Sequence, residues 1–96
     1  MTAYVVATIT IRDRERYKQY EAGFMEIFAD YNGRMLSVDE SPEVLEGAWP
    51  HTRTVLISFP SSDDAHSWID SEAYQTLAQH RFAAAESQVA LLQGLD

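Results

Sequence analysis

The chain has 96 residues, with 7 Lys and Arg against 15 Asp and Glu for a net charge of −8 with neutral histidines, 46% apolar residues and no cysteine. Such a length makes one domain, residues 1–96, which hides only about 60 to 65% of its unfolded surface, so self-association would add to its stability. The acidic balance argues against nucleic acid or an anionic membrane as partner, and the absence of thiols excludes disulfides, thiolate zinc sites and cysteine nucleophiles.

Apolar runs fall far short of the ~20 residues of a membrane span. Met1-Thr2-Ala3 leads straight into a strand-like stretch with no basic-then-apolar leader, so, with cysteines absent, the expected location is cytoplasmic.

Tyr4 to Ile11 alternates Val5, Ala7, Ile9 and Ile11 against Tyr4, Val6, Thr8 and Thr10, which predicts a strand with both faces at least half apolar. Asp13 then offers an N-cap. Tyr17, Tyr20, Phe24, Ile27, Phe28 and Tyr31 follow at helical spacing, predicting a helix from about Arg14 to Tyr31 that ends at Asn32-Gly33, with Gly33 in a left-handed position. Gly33 to Glu40 reads as a second strand in which Leu36 and Val38 oppose Met35, Ser37 and Asp39. Ser41 to His51 loses periodicity at Pro42, Gly47 and Pro50 and forms a long surface connection carrying Glu46, Trp49 and His51.

Thr52 to Phe59 is a strong strand, with Val55, Ile57 and Phe59 sharing a face with Arg53, and Pro60 stops it. Ser61 with Asp64 resembles a capping box at the start of a helix that turns Ala65, Trp68 and Ile69 inward. Ser71 offers a second cap, so a kink or break is expected near Asp70 to Glu72. Tyr74, Leu77, Ala78, Arg81, Phe82 and Ala85 then form a stripe to about Glu86. Ser87 to Gln93 is a short edge strand.

This order fits an α+β ferredoxin-like βαββαβ sandwich: a four-stranded antiparallel sheet with two helices on one face. The opposite face would be bare, yet it carries Tyr4, Val6, Thr8 and Leu56 or their alternates. A second copy of the same sheet is the economical cover, so a homodimer closing into a dimeric α/β barrel is expected.

Three stretches carry a family resemblance: Glu43-Val44-Leu45-Glu46-Gly47-Ala48-Trp49, Arg53 through Ser61, and Trp68-Ile69-Asp70-Ser71-Glu72-Ala73-Tyr74-Gln75 with Arg81 and Ala84-Ala85 beyond. Together they resemble the uncharacterised domain-of-unknown-function family 1330, within the dimeric α/β-barrel superfamily, over essentially the whole chain. The resemblance implies the same fold and a homodimer enclosing a cavity, without an established reaction. The wider superfamily holds cofactor-free monooxygenases, lactone isomerases, haem enzymes and stress-response proteins. Asn32-Gly33 stands where the family tends to show Gly-Gly, and Glu72-Ala73 where it tends to show Pro-Glu, so no proline fixes the expected helix break here. The family's motif positions fall on Glu46, Gly47, Arg53, Trp68, Tyr74 and Arg81.

Glu46, His51 and Arg53 are the candidate catalytic residues, since a carboxylate, a group titrating near neutrality and an anion anchor suit proton transfer on a small organic molecule. Trp49, Trp68, Tyr74 and Arg81 are the candidate substrate-binding residues. The competing structural reading pairs Arg53 with Glu46 or with an acid of a partner subunit, packs Trp49 in the dimer interface, places Tyr17, Tyr20, Trp68, Tyr74 and Phe82 in the core, and gives Arg81 an acid or helix-end carbonyls.

Asp63, His66 and Asp70 share a helix face without a second histidine at ligand spacing, so no metal site is expected. His51, His66 and His80 occupy loop and polar helix positions that give no haem pattern, and no phosphate-cradling or nucleophile-elbow motif occurs, so no cofactor is expected. Two functions stay open: a cofactor-independent enzyme of monooxygenase or isomerase type, or a non-catalytic dimeric module for small-ligand binding or stress response.

Overall fold

The computed structural model describes all 96 residues. Its central strand is β1 (Ala3–Ile11), flanked by two antiparallel neighbours. On one side β3 (Arg53–Phe59) pairs from Ala3 opposite Phe59 to Ile9 opposite Arg53. On the other, β4 (Ala85–Gln93) pairs from Ala3 opposite Gln93 to Ile11 opposite Ala85. The outer strand β2 (Arg34–Asp39) adds to β3, giving the order β2-β3-β1-β4. That is the ferredoxin-like arrangement expected from the element order.

Alternation along β1 and β3 separates the two faces. Val5, Ile9, Val55, Ile57 and Phe59 are buried beneath the helices, while Tyr4, Val6, Thr8 and Leu56 on the helix-free face are half-buried. β4 begins directly after the last helix, earlier than the expected Ser87, and lies at the sheet edge as the sequence suggested.

Helix α1 (Arg14–Phe28) starts where Asp13 accepts a hydrogen bond from the Arg16 amide, 3.1 Å away. It stops three residues before the expected Tyr31. The Asp30 and Tyr31 amides bond back to Ile27 and Phe28, tightening the chain into a turn. Gly33 does not take a left-handed conformation; the one glycine at positive φ is Gly47, at 78°. Gly33 is needed for space, because a Cβ there would collide with the Phe28 and Phe59 rings.

The second expected helix is two helices, α2 (Ser62–Ile69) and α3 (Glu72–Ala84). Ser61 caps α2 by accepting from the Asp64 amide at 3.2 Å. Ser71 makes the break without a proline: its hydroxyl donates to the Trp68 carbonyl at 2.8 Å and accepts from the Tyr74 amide at 3.1 Å. One serine thus ends α2 and starts α3.

In β2 a bulge departs from simple alternation. Met35 faces Ile57 and Ser37 faces Leu56, leaving Leu36 unpaired, after which Val38 faces Val55. Met35 and Val38 therefore turn toward the helices together, where uniform alternation would have opposed them.

Candidate functional site

The helix layer and the sheet do not close completely on one another. Between them lies a cavity of about 320 Å³, lined almost entirely by apolar side chains. Its floor is sheet: Val5, Ala7 and Ile9 from β1, Val55 and Ile57 from β3, Met35 and Val38 from β2. Ala7 sits mid-strand between two larger residues, and its small side chain leaves the space above it open.

Helix α1 supplies Tyr17, Tyr20, Glu21 and Phe24 to the wall, at the three- and four-residue spacing of one face. The Ser71 break brings Trp68 and Tyr74 to the opposite wall with ring centroids 4.4 Å apart. The Tyr74 and Tyr20 hydroxyls lie 2.7 Å apart and join the two walls. Burial, with the Tyr74 hydroxyl adding to it, raises the Tyr20 phenol far above its ordinary value. Tyr17 is raised as well, by burial first, with the Arg53 guanidinium acting the other way.

Three charged groups reach this lining. Arg53 enters from the end of β3, its guanidinium 5.7 Å from the Tyr17 ring centre. Its Nη1 meets Glu40 at 3.2 Å and Glu21 at 3.4 Å, so its partner is not Glu46. Hydrogen bonds from Arg14 first and Arg53 second hold the Glu40 carboxyl below its ordinary range. The Arg53 Nε is buried without an acceptor, as is the Trp68 Nε1.

Arg81 is the third charged side of the cavity, alongside Glu21 and Arg53. It is only 7% exposed and lies over the rings of Tyr20 and Phe82, at 5.7 and 5.0 Å. The expected acid or helix-end carbonyl is absent: none of the chain's ion pairs or side-chain hydrogen bonds includes Arg81.

Of the seven candidates from the sequence, Arg53, Trp68, Tyr74 and Arg81 meet at one cavity, while Glu46, Trp49 and His51 do not line it. Glu46 is exposed beside Gly47. Trp49 folds back so that its Nε1 donates to the Thr54 Oγ1 at 2.9 Å, and its ring meets His51 edge-on at 5.6 Å. The His51 Nδ1 is buried without a partner.

Sequence reading missed Glu21, whose position four residues after Tyr17 and three before Phe24 was the available signal. It also missed Glu40 as the partner of Arg53. His66 pairs with Asp70 at 3.0 Å, and no three His, Asp or Glu residues cluster as a metal site would require.

Sheet, helices and cavity define a ferredoxin-like α+β protein with a small-molecule-sized pocket between its layers. The chain belongs to the family described as Domain of unknown function (DUF1330), whose model matches residues 2–95. A comparison with curated proteins finds no match.

Among solved structures, a Rhodopseudomonas palustris protein of unknown function is 18% identical with a TM-score of 0.81, covering 99% of this chain and 83% of its own. SnoaB, a cofactor-independent oxygenase from Streptomyces nogalater, is 12% identical with a TM-score of 0.71, covering 99% of this chain and 94% of its own. A dimeric ferredoxin-like protein of unknown function from Thermobifida fusca is 9% identical with a TM-score of 0.68, covering 98% and 92%. At these identities the likeness shows the fold alone. No helix is long and apolar enough to cross a membrane.

Proposed function

We propose that this protein is a cofactor-independent enzyme acting on a small, ring-bearing organic molecule held between its sheet and helices, and that it works as a homodimer. The observation that carries the reading is the cavity of about 320 Å³, apolar throughout except for Glu21, two arginines and paired phenols. Few polar groups on an apolar wall is the pattern of a site that orients one substrate. SnoaB, a cofactor-independent oxygenase, lends support as a protein of the same fold.

In this reading Glu21 is the base, because it lines the cavity and Glu46 and His51 do not. Arg53 positions Glu21 from 3.4 Å. Removing a proton from carbon leaves an electron-rich enolate, which can react with dioxygen directly or be reprotonated at another carbon, so oxygenation and isomerisation share the same first step.

The homodimer is supported by the helix-free sheet face, where Tyr4, Val6 and Leu56 remain partly exposed, and by the Thermobifida fusca protein being dimeric. Trp49 reaches Thr54 on that face.

The test is oxygen uptake and product analysis with 2-tetralone, a ring ketone with acidic C–H bonds, after dialysis against a chelator. The reading expects protein-dependent conversion that falls about 10²-fold or more in Glu21→Gln. Binding of the ketone without oxygen uptake or isomerised product would favour the second reading, a non-catalytic binding module. That alternative draws on the Tyr20–Tyr74 hydrogen bond, which commits both phenols to one another.

A further inference from the structure

From Arg81 we infer that the natural ligand of this cavity is a monocarboxylate with an apolar ring body, bound with its carboxylate on the Arg81 guanidinium. The inference rests on the cavity being the ligand site and goes further by assigning the ligand its charge.

Three charged side chains line the space, and two of them are already neutralised, since Arg53 holds Glu21 and shares Glu40 with Arg14, two acids against two arginines. Arg81 is left over. It is 7% exposed, has no carboxylate partner, and lies over the rings of Tyr20 and Phe82. A guanidinium that is mostly buried and has no anion is costly, and aromatic faces offset only part of that cost. A ligand that arrives ionised supplies the missing charge on binding, and a planar carboxylate matches the guanidinium fork with two hydrogen bonds.

The stoichiometry of charge limits the anion. One uncompensated positive charge suits a monoanion. A phosphate monoester would bring nearly two negative charges and a need for more donors than an apolar wall provides. A second, smaller hollow of about 150 Å³ shares Val5, Ile69 and Val89 with the first, extending the apolar space beneath α2. The ring body would lie along this floor.

Calorimetric titration of the 96-residue protein at pH 7 with 2-naphthoate, 2-naphthamide and 2-naphthyl phosphate tests this. The expected result is that 2-naphthoate binds at least tenfold more tightly than the amide, and more tightly than the phosphate. Arg81→Gln should remove that preference while the amide still binds, and Arg81→Lys should keep part of it. Because the wild-type comparison needs no variant, the inference stays exposed even if Arg81→Gln fails to fold. Equal affinities for acid and amide would overturn the carboxylate assignment while leaving the cavity as a ligand site. Preference for the phosphate would overturn the monoanion. Failure of all three to bind would sink both this inference and the reading it rests on.

Discussion

The hydroxyls of Tyr20 and Tyr74 meet at 2.7 Å in the interior, a single hydrogen bond that ties helix α1 to α3 across the roof of the cavity. Either phenol is satisfied only by the other among the protein's side chains. Tyr74→Phe should therefore cost about 1 to 3 kcal/mol in urea unfolding, because the Tyr20 hydroxyl is left buried without a partner. The double variant with Tyr20→Phe should be less destabilised than the sum of the two singles, a coupling that additive losses would disprove.

The same pair sets an alkaline limit. Burial holds the Tyr20 proton far above the ordinary tyrosine value of 10.0. The folded chain keeps a proton that the unfolded chain releases above pH 10, so this stabilisation is complete below that pH and diminishes as pH rises further. Absorbance at 295 nm should show Tyr20 ionising only as the fold is lost.

Glu40 behaves in the opposite sense. Arg14 and Arg53 hold it below 4.5, so its contribution is present above that value and is lost as pH falls through the lowered one. Glu40→Gln should flatten the acid limb of the stability profile. An unchanged acid limb would show that the ion pairs at Arg53 are screened out in solution.

Ala7→Leu tests the cavity without touching a polar group. A larger side chain in the middle of β1 should fill the space, leaving the stability within about 1.5 kcal/mol of the original or raising it, while titration with 2-naphthoate shows no binding. Retained affinity would place the ligand elsewhere.

Leu56→Asp should separate the proposed homodimer. Sedimentation equilibrium should give twice 10.9 kDa for the original chain and 10.9 kDa for the variant, with unchanged circular dichroism. A monomeric original chain at micromolar concentration would remove the homodimer and leave the apolar sheet face in need of another cover.

Local chemistry made the fold legible in the sequence. Asp13, Ser61 and Ser71 each announce a helix start through a side-chain oxygen, and each accepts the amide three residues on. The alternation that placed Arg53 with Val55, Ile57 and Phe59 needs no tertiary information, and neither does the helical spacing that aligned Tyr74 with Arg81.

Other features were set by tertiary contacts. Glu46 and Arg53 are close in sequence, yet the connection between β2 and β3 carries Glu46 into solvent, and Glu40 on its near side reaches the arginine instead. Gly33 looked like a residue freed for unusual backbone geometry, whereas the rings of Phe28 and Phe59 decide it. Glu21 went unnamed because its neighbours on the stripe are aromatic and drew the reading toward core packing.

The unpaired Leu36 in β2 uncouples two properties of an edge strand. Pairing with β3 resumes on either side of it, so the hairpin register survives, while the phase of inward side chains is reset between Met35 and Val38. Gain or loss of one residue at this point would exchange which side chains overhang the cavity without disturbing β1, β3 or β4. The rim of the cavity therefore depends on the length of this one strand, while the frame that holds Glu21, Arg53 and Arg81 does not.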